Sequence, residues 1–341
     1  MSESVSEEKI KGRVTLHDVA RAAGVSKSTV SRVLDDRLPQ SDSPKARHVR
    51  DIAAKLGYVR DLSAAALRRG TTGQIGVIVP RLTDTVMAML YEALARAAAR
   101  AGQFAIVATT DDNPEATRSA ADALIRRGVD GLILTTARKG DAFTDELRDR
   151  GVRFALALRH NGASRAAIGD DDLGGYLATR HLIDLGHRRI GLITGPQYAT
   201  SALGRQRGYQ RAMIEAGYDV RPEWIAPSDF SMEAGEGAAR ELLERPNRPT
   251  AIFAVNDNTA IGALSAIAAH GLSVPGDISL VGYNDIPLVS RLPVALTSVR
   301  VPFDQIAEAA LQLLFDDKPE TPVRRISPTL IPRASSRPPT P

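Results

Sequence analysis

The sequence contains no cysteine. Disulfide bonds, thiolate metal sites and a cysteine nucleophile are therefore excluded, and the composition is typical of a reducing compartment. No stretch approaches the roughly eighteen uninterrupted apolar residues that a membrane-spanning helix needs. The first thirteen residues also lack the apolar segment of a secretory signal. We therefore expect a cytoplasmic protein without membrane spans.

The short motifs that mark common enzymes are missing as well. We find no GxGxxG after the first predicted strand, and no GxxxxGK[ST], HExxH or GxSxG. The six histidines show no metal-ligand spacing. Three consecutive carboxylates at 170–172 suggest a catalytic or metal cluster, but capping of the following helix explains them better. The sequence predicts no enzyme, no cofactor and no metal site.

Positive charge is concentrated at one end of the 341-residue chain. Residues 1–70 hold 14 Lys and Arg against 9 Asp and Glu, whereas the remainder holds 30 against 31. A short basic module on a near-neutral body is typical of a polyanion-binding headpiece. A merely solvated basic surface would give the same count.

Helical patterns fill residues 15–56. Thr15 and Asp18 form a capping-box-like start, and Gly24 ends the first helix. Ser26 caps a second helix that runs to about Leu34, and a third covers about 45–56. This layout predicts a helix-turn-helix, which places its second helix in the major groove of DNA. The outward residues of that helix are Ser26, Lys27, Ser28, Thr29, Ser31 and Arg32.

From Ile75 onward, short apolar runs alternate with helical stretches. Runs such as IGVIV suit parallel strands that are buried on both faces. The alternation restarts at Ile190, and a helix at 303–315 is predicted to return the chain to the first half of the body. We therefore predict two doubly wound parallel sheets in a bilobed α/β body, with a ligand cleft at the carboxyl ends of the strands.

Taken together, these segments resemble the LacI/GalR family of repressors from Val14 to about Pro332. The strings that carry the resemblance are TLHDVARAAGVSKSTVSRVL, LGYVRD, IGVIVP, DDDLGGYLATRHLIDLGHRRIGLITGP, SALGRQRGY, AVNDNTAIGA and ISLVGYNDIPL. The resemblance implies an all-α helix-turn-helix headpiece and an α/β bilobed core like that of periplasmic binding proteins.

The domain boundaries follow from the same reading. We expect a disordered leader at 1–12, a headpiece at 13–60, a hinge helix at 61–72, a core at 73–332 and a flexible tail at 333–341. Within the core, the N-lobe is predicted at 73–185 and 303–326, and the C-lobe at 186–299 and 327–332.

For DNA contacts, the resemblance implies roles residue by residue. Lys27, Ser28 and Arg32 match base-reading positions, and the two-donor fork of Arg32 suits guanine. Positions near the phosphates are matched by Thr15, Ser26, Ser31 and Tyr58. For Ser31 and Tyr58, packing or capping in the headpiece explains the residue types equally well, and Lys27 and Arg32 could simply be solvent-exposed.

DLSAAALRRG matches the hinge helix, where Leu67 would wedge into the minor groove, Ala64 allows close approach and Arg68 lies beside the groove. A buried linker position is the alternative for Leu67. Arg60 and Asp61 depart from the usual Pro-Asn, which puts the hinge geometry in doubt.

In the cleft, the resemblance implies five effector-binding residues: Asp171, Arg205, Asn256, Asn284 and Phe303. Asn284 stands where many relatives have aspartate, so one anion is lost and a ligand with an acidic group near Arg205 is favoured. Asn256 and Asp257 could instead cap the helix that follows, and His187 is better explained as a helix-terminus residue.

The sequence thus predicts a repressor that binds a near-palindromic operator as a homodimer, with a tetramer as the alternative. A sugar or sugar acid bound between the lobes would change its operator affinity. Induction is the default and corepression the alternative. The rival classes are an enzyme on the same sheet and a periplasmic-type solute-binding protein, which should carry an export signal and no basic headpiece.

Overall fold

The structure is a computed structural model that describes residues 14–35, 38–59, 71–316 and 322–339. The chain forms two compact units that divide between Thr72 and Gly73. The prediction of a helical headpiece followed by a bilobed α/β core is confirmed.

The first unit contains three helices: α1 (Leu16–Ala22), α2 (Lys27–Val33) and α3 (Pro44–Lys55). Val19, Val30 and Val49 are fully buried where the three helices meet. Gly24 separates α1 from α2 with a φ of 63°, a left-handed conformation that glycine adopts without strain. This small core fixes the start of α2 relative to α1.

The N-lobe of the second unit is a six-stranded parallel sheet with the order β11-β5-β4-β3-β1-β2. Its strands are β1 (Gln74–Val79), β2 (Phe104–Thr109), β3 (Gly131–Leu134), β4 (Phe154–Ala157), β5 (Ala166–Gly169) and β11 (Val323–Ile326). Its helices are α4 (Thr85–Arg100), α5 (Pro114–Arg126), α6 (Phe143–Asp149) and α11 (Phe303–Phe315). Helices on both faces bury the apolar strands, as the sequence predicted.

The C-lobe repeats this design with the order β12-β10-β9-β8-β6-β7, in which β12 alone runs antiparallel to its neighbour. The strands are β6 (Ile190–Thr194), β7 (Ile225–Pro227), β8 (Ala251–Ala254), β9 (Ser279–Asn284), β10 (Thr297–Arg300) and β12 (Thr329–Ile331). The helices are α7 (Asp171–Asp184), α8 (Thr200–Glu215), α9 (Met232–Leu243) and α10 (Asp257–Ala269).

Helix α7 corrects the predicted lobe boundary at 185. It packs on α8 and on the C-lobe strands, so the chain has already crossed between the lobes after β5. The close approach of α7 to α8 depends on Gly175, where a Cβ atom would lie 2.1 Å from the Arg205 carbonyl oxygen. The prediction was wrong here because the short strand β5 was not recognised as the end of the N-lobe segment.

The predicted flexible tail is also corrected, for residues 333–339. Ser335 is fully buried; its hydroxyl donates to the Leu280 carbonyl at 2.6 Å and accepts from the Thr297 amide at 2.8 Å. His187 is likewise buried, and its Nε2 lies 2.9 Å from the Arg337 carbonyl oxygen. This segment therefore packs along the C-lobe, because its serines and backbone satisfy polar groups at the sheet.

Within the described ranges, no helix is long and apolar enough to cross a membrane. The same ranges contain no cluster of three or more His, Asp or Glu side chains that could hold a metal ion.

Candidate DNA-binding surface and effector pocket

The start of α2 presents hydroxyl and cationic side chains. Ser26 caps the helix by accepting from the Thr29 amide at 3.2 Å, and its hydroxyl also lies 2.8 Å from that of Ser28. Lys27 and Arg32 are exposed on the same helix, whereas Ser31 is half-buried. The two cations therefore project freely, while the Ser28 hydroxyl is drawn toward the cap.

Thr15 and Tyr58 have structural partners in this unit. The Thr15 backbone donates to the Asp18 carboxylate at 2.9 Å, which completes the predicted capping box at α1. The hydrogen bonds from Thr15 hold the pKa of Asp18 below its usual range. Tyr58 packs half-buried against the headpiece core. Packing and capping thus account for these two positions; their contacts with phosphates stay a prediction.

Sequence reasoning missed three residues beside Lys27. A shallow groove at the α1–α2 turn is also lined by His17, Arg21 and Lys45. Lys45 lies in the first turn of α3, so three different helices bring cations to one surface. The periodicity of each helix alone could not show this convergence. The hinge residues Arg60, Asp61, Ala64, Leu67 and Arg68 lie outside the described residues.

In the second unit, a cavity of about 480 Å³ opens between the lobes. It lies at the carboxyl ends of the strands, as the sheet topology predicts. The N-lobe lines it with Pro80, Arg81, Thr83, Asp84, Val86, Met87, Asp111, Asp112, Thr135, Arg138, Leu158 and Arg159. The C-lobe lines it with Tyr198, Ser201, Arg205, Asp229, Phe230, Ser231, Met232, Glu233, Asn256, Asn258 and Asn284.

Arg205 is held rigidly at this cavity. Its Nε donates to Asp171 at 2.8 Å, its Nη1 donates to the Val255 carbonyl at 2.6 Å, and its guanidinium lies 3.8 Å from the centre of the Tyr283 ring. Asp171 lies behind Arg205 and is not among the described residues that line the cavity. Burial raises the pKa of Asp171 to about 6, although Arg205 acts in the opposite direction. Asp171 therefore positions the arginine.

The side chains of the two predicted asparagines differ in whether they already form hydrogen bonds within the protein. Asn256 caps α10 by accepting from the Thr259 amide at 2.8 Å, and its Nδ2 donates to the Phe230 carbonyl at 3.0 Å. Capping was one of the two readings open for this residue. Asn284 is 3% exposed, has a φ of 101°, and its side-chain amide makes no hydrogen bond in the described parts of the chain. Asn284 is the amide still free for a ligand.

Asp257 and His187 are not among the described residues that line the cavity. The Asp257 carboxylate accepts from the Ile286 amide at 2.8 Å and the Ser298 hydroxyl at 2.7 Å, so it joins the loop after β9 to β10. His187 binds Thr250 and the C-terminal segment.

The predicted apolar wall is corrected. Phe303 begins α11, is buried in the core, and is not among the described cavity-lining residues. Its helix packs against α4 and the N-lobe sheet, which draws the ring away from the cavity. Phe230, Met87 and Leu158 supply the apolar surface instead.

Hydrogen bonds across the cavity join the two lobes, and sequence reasoning missed the residues that make them. Tyr198 of the C-lobe donates to Asp112 of the N-lobe at 3.1 Å, and Arg159 pairs with the same carboxylate at 2.9 Å. Asn258 donates to Asp84 at 3.3 Å, where burial raises the pKa of the carboxyl. The bonds from Tyr198 to Asp112 and from Asn258 to Asp84 cross between the lobes, so a change in lobe orientation must alter them.

A helix-turn-helix with exposed cations, followed by a unit with a buried polar cavity between two lobes, defines a ligand-responsive transcription regulator. Residues 15–61 match the family model of bacterial regulatory proteins of the lacI family, and residues 179–336 match that of a periplasmic binding protein-like domain.

Individual relatives agree with these matches. The chain is 33% identical over 330 residues to the HTH-type transcriptional repressor PurR of Serratia proteamaculans (strain 568), covering 94% of this chain and 96% of that protein. It is also 33% identical over 304 residues to the ribose operon repressor of Haemophilus influenzae (strain ATCC 51907 / DSM 11121 / KW20 / Rd), covering 88% and 90%.

A solved lac repressor dimer, bound to operator and the anti-inducer ONPF, has a similar structure. It gives a TM-score of 0.85 at 28% identity and covers 96% of this chain and 100% of that chain. The chain belongs to the lacI family of bacterial regulatory proteins, and its role as a DNA-binding regulator follows from that membership.

Proposed function

We propose that this regulator is a repressor that binds a near-palindromic operator as a homodimer and responds to a carbohydrate-derived effector in the interlobe cavity. The observation that carries the proposal is that the rigidly held Arg205 and the unoccupied amide of Asn284 line the same cavity. A volume of about 480 Å³ lies in the range of small-molecule sites.

The lining chemistry supports a ligand rich in hydroxyl groups. Carboxylates, amides and arginines can each bind a hydroxyl, and Phe230 offers an apolar surface for a ring face. A relative named as a ribose operon repressor is consistent with this class. We infer binding without chemical conversion, since the similar proteins are named as repressors.

The homodimer follows from how such headpieces read DNA. A half-site contacts one α2 helix, so a two-fold operator needs two copies of the chain. The similar lac repressor structure is described as a dimer on its operator. A protein with this task works where the chromosome is, in the cytoplasm.

Regulation is explained by linkage between the two sites. An effector that binds one lobe arrangement more tightly shifts the population toward it. The bonds from Tyr198 to Asp112 and from Asn258 to Asp84 form in one such arrangement. The change in operator affinity can be no larger than the effector's preference between the two states.

A fluorescence-polarisation titration tests the proposal. The pure protein is titrated against duplexes from its own promoter and against a scrambled duplex, with and without a panel of sugars and sugar acids. We expect tight, salt-sensitive binding to a promoter duplex that one compound alters. Equal weak binding to every duplex would contradict the proposal.

A further inference from the structure

We propose that the effector carries an anionic group, a carboxylate or a phosphate, which binds at the start of α8 where Ser201 and Arg205 line the cavity. This inference rests on the proposed effector site and narrows the class of ligand that it takes.

The first observation is the uncapped start of α8. Its N-cap residue is Ala199, which has no side chain to accept a hydrogen bond. The backbone amides of Thr200, Ser201 and Ala202 donate to no acceptor in the described parts of the chain. Unsatisfied amides at the start of a 16-residue helix attract negative charge.

The other helices that begin at this cavity are satisfied by their own side chains. Asp84 accepts from the second amide of α4, Ser231 accepts from an amide of α9, and Asn256 accepts from an amide of α10. The protein therefore provides internal caps at three helix starts and leaves the fourth to another group.

Ser201 is the second, independent observation. It is only 6% exposed and lines the cavity, yet its hydroxyl makes no hydrogen bond to any described residue. Because Ser201 lines the cavity, its hydroxyl is open to a hydrogen-bonding group in that space. Its position points to a ligand group held at the helix start.

Arg205 follows Ser201 by one helical turn, so both side chains lie on the same face of α8. Two of the five guanidinium N–H groups donate to Asp171 and to the Val255 carbonyl. The charge of Arg205 is already paired with Asp171, so Arg205 contributes its remaining N–H donors. The hydroxyl, these donors and the free amides together match the oxygen atoms of a carboxylate or a phosphate.

The charges near Tyr198, just before α8, favour an anion as well. Arg159 is neutralised by Asp112, but Arg138 pairs with no carboxylate in the described ranges. Its guanidinium lies 4.0 Å from the centre of the Tyr198 ring. The loop before α8 is therefore beside one uncompensated positive charge.

Elsewhere the cavity is lined by carboxylates at the starts of α4 and α9, among them Asp84, Asp229 and Glu233. Carboxylates accept hydrogen bonds from hydroxyl groups. A sugar acid or a sugar phosphate fits both regions of the cavity, because its hydroxyl groups can bind the carboxylates and its acidic group can bind at the start of α8.

Matched pairs of compounds test the inference by calorimetry on the full chain. The pairs are gluconate and glucitol, glucuronate and glucose, and ribose 5-phosphate and ribose. We expect a carboxylate or the phosphate to bind at least about tenfold more tightly than its neutral partner, because charge-assisted hydrogen bonds are lost in the latter. The pair that responds distinguishes carboxylate from phosphate. Preference for neutral members, or binding by no anion, would overturn the inference.

A variant tests the position. Ser201→Asp places a carboxylate at the open amides, so we expect a higher unfolding midpoint and at least about tenfold weaker anion binding. Ser265→Asp, on the exposed face of α10, is the matched control and should change neither quantity. A lower midpoint for Ser201→Asp, or unchanged anion affinity, would contradict the assignment.

The promoter titration on the same preparation separates this inference from the proposed function. An effect of neutral sugars alone on DNA affinity would leave the regulator proposal standing and overturn the anion site. Anion binding that Ser201→Asp abolishes, but that never alters DNA affinity, would support the site and contradict the proposed regulation.

Discussion

At the residue scale, Arg32 is exposed on α2 and carries a planar fork of donors that matches guanine in the major groove. We expect Arg32→Ala to weaken binding to a specific operator by about 1–3 kcal/mol, with a smaller loss on scrambled DNA. Polarisation titrations on both duplexes measure the two losses.

Arg32→Lys is the matched control for this prediction. It keeps the positive charge and removes the fork, so it should lose specificity while retaining most binding to scrambled DNA. Equal losses on both duplexes for Arg32→Ala would mean that the residue contacts phosphates and not bases.

Asp257 makes stability depend on pH. Burial raises the pKa of its carboxyl to about 7, whereas the pKa of an aspartate in the unfolded chain is about 3.9. Between these values the folded protein retains a proton that the unfolded chain releases, so this stabilising contribution is lost as the pH rises from about 4 to about 7.

We therefore expect Asp257→Asn to reduce the difference in free energy of unfolding between about pH 5 and about pH 8. Denaturant melts at both pH values measure this, and Asp219→Asn, which replaces an exposed carboxylate, is the control. The same pH dependence in Asp257→Asn and in the unmodified protein would show that Asp257 ionises normally.

At the element scale, the contact between α7 and α8 depends on glycine. A Cβ atom at Gly175 would collide with the Arg205 backbone, so Gly175→Ala must separate the helices. We expect a loss of about 1–3 kcal/mol in the free energy of unfolding, together with weaker effector binding, since Arg205 moves with α8.

Gly237→Ala on α9 is the matched control, because nothing lies within 4 Å of a Cβ atom there. It should raise the free energy of unfolding by roughly 0.5–1 kcal/mol, the usual difference between alanine and glycine inside a helix. A Gly175→Ala protein as stable as this control would contradict the close approach.

The same scale shows what sequence patterns could predict. The amphipathic helix α11 and the apolar strand β1 were predicted within one residue of their observed bounds. The four-residue strand β5 is too short to show a period, and missing it displaced the lobe boundary past α7.

The site residues that match family motifs were predicted, whereas residues that only the tertiary structure brings together were missed. Arg205 and Asn284 lie at the cavity as the resemblance implied. Tyr198 and Asp112 are in contact only because the two lobes face each other, and no local sequence pattern predicts this contact. Phe303 was wrong because a motif match does not say which way its helix turns the ring.

At the scale of the whole molecule, the segment 333–339 completes the C-lobe. Deleting residues 333–341 leaves the Leu280 carbonyl and the Thr297 amide without the Ser335 hydroxyl. Since each buried unpaired group costs roughly 1–3 kcal/mol, we expect the free energy of unfolding to fall by at least about 2 kcal/mol.

Thermal and denaturant melts of the shortened chain measure this loss. Deletion of residues 340–341 alone is the control, because it leaves every bond described here intact. A chain ending at residue 332 with unchanged stability would mean that the segment only rests on the surface.

The interleaving of the two lobes has a consequence for synthesis. Strands β11 and β12 form the outer edges of the two sheets, and both come from residues 323–331. Neither lobe is complete until the ribosome has translated that stretch, whereas α1 to α3 close their own core from residues before 60. During translation, the helical unit is therefore finished well before the unit that contains the cavity.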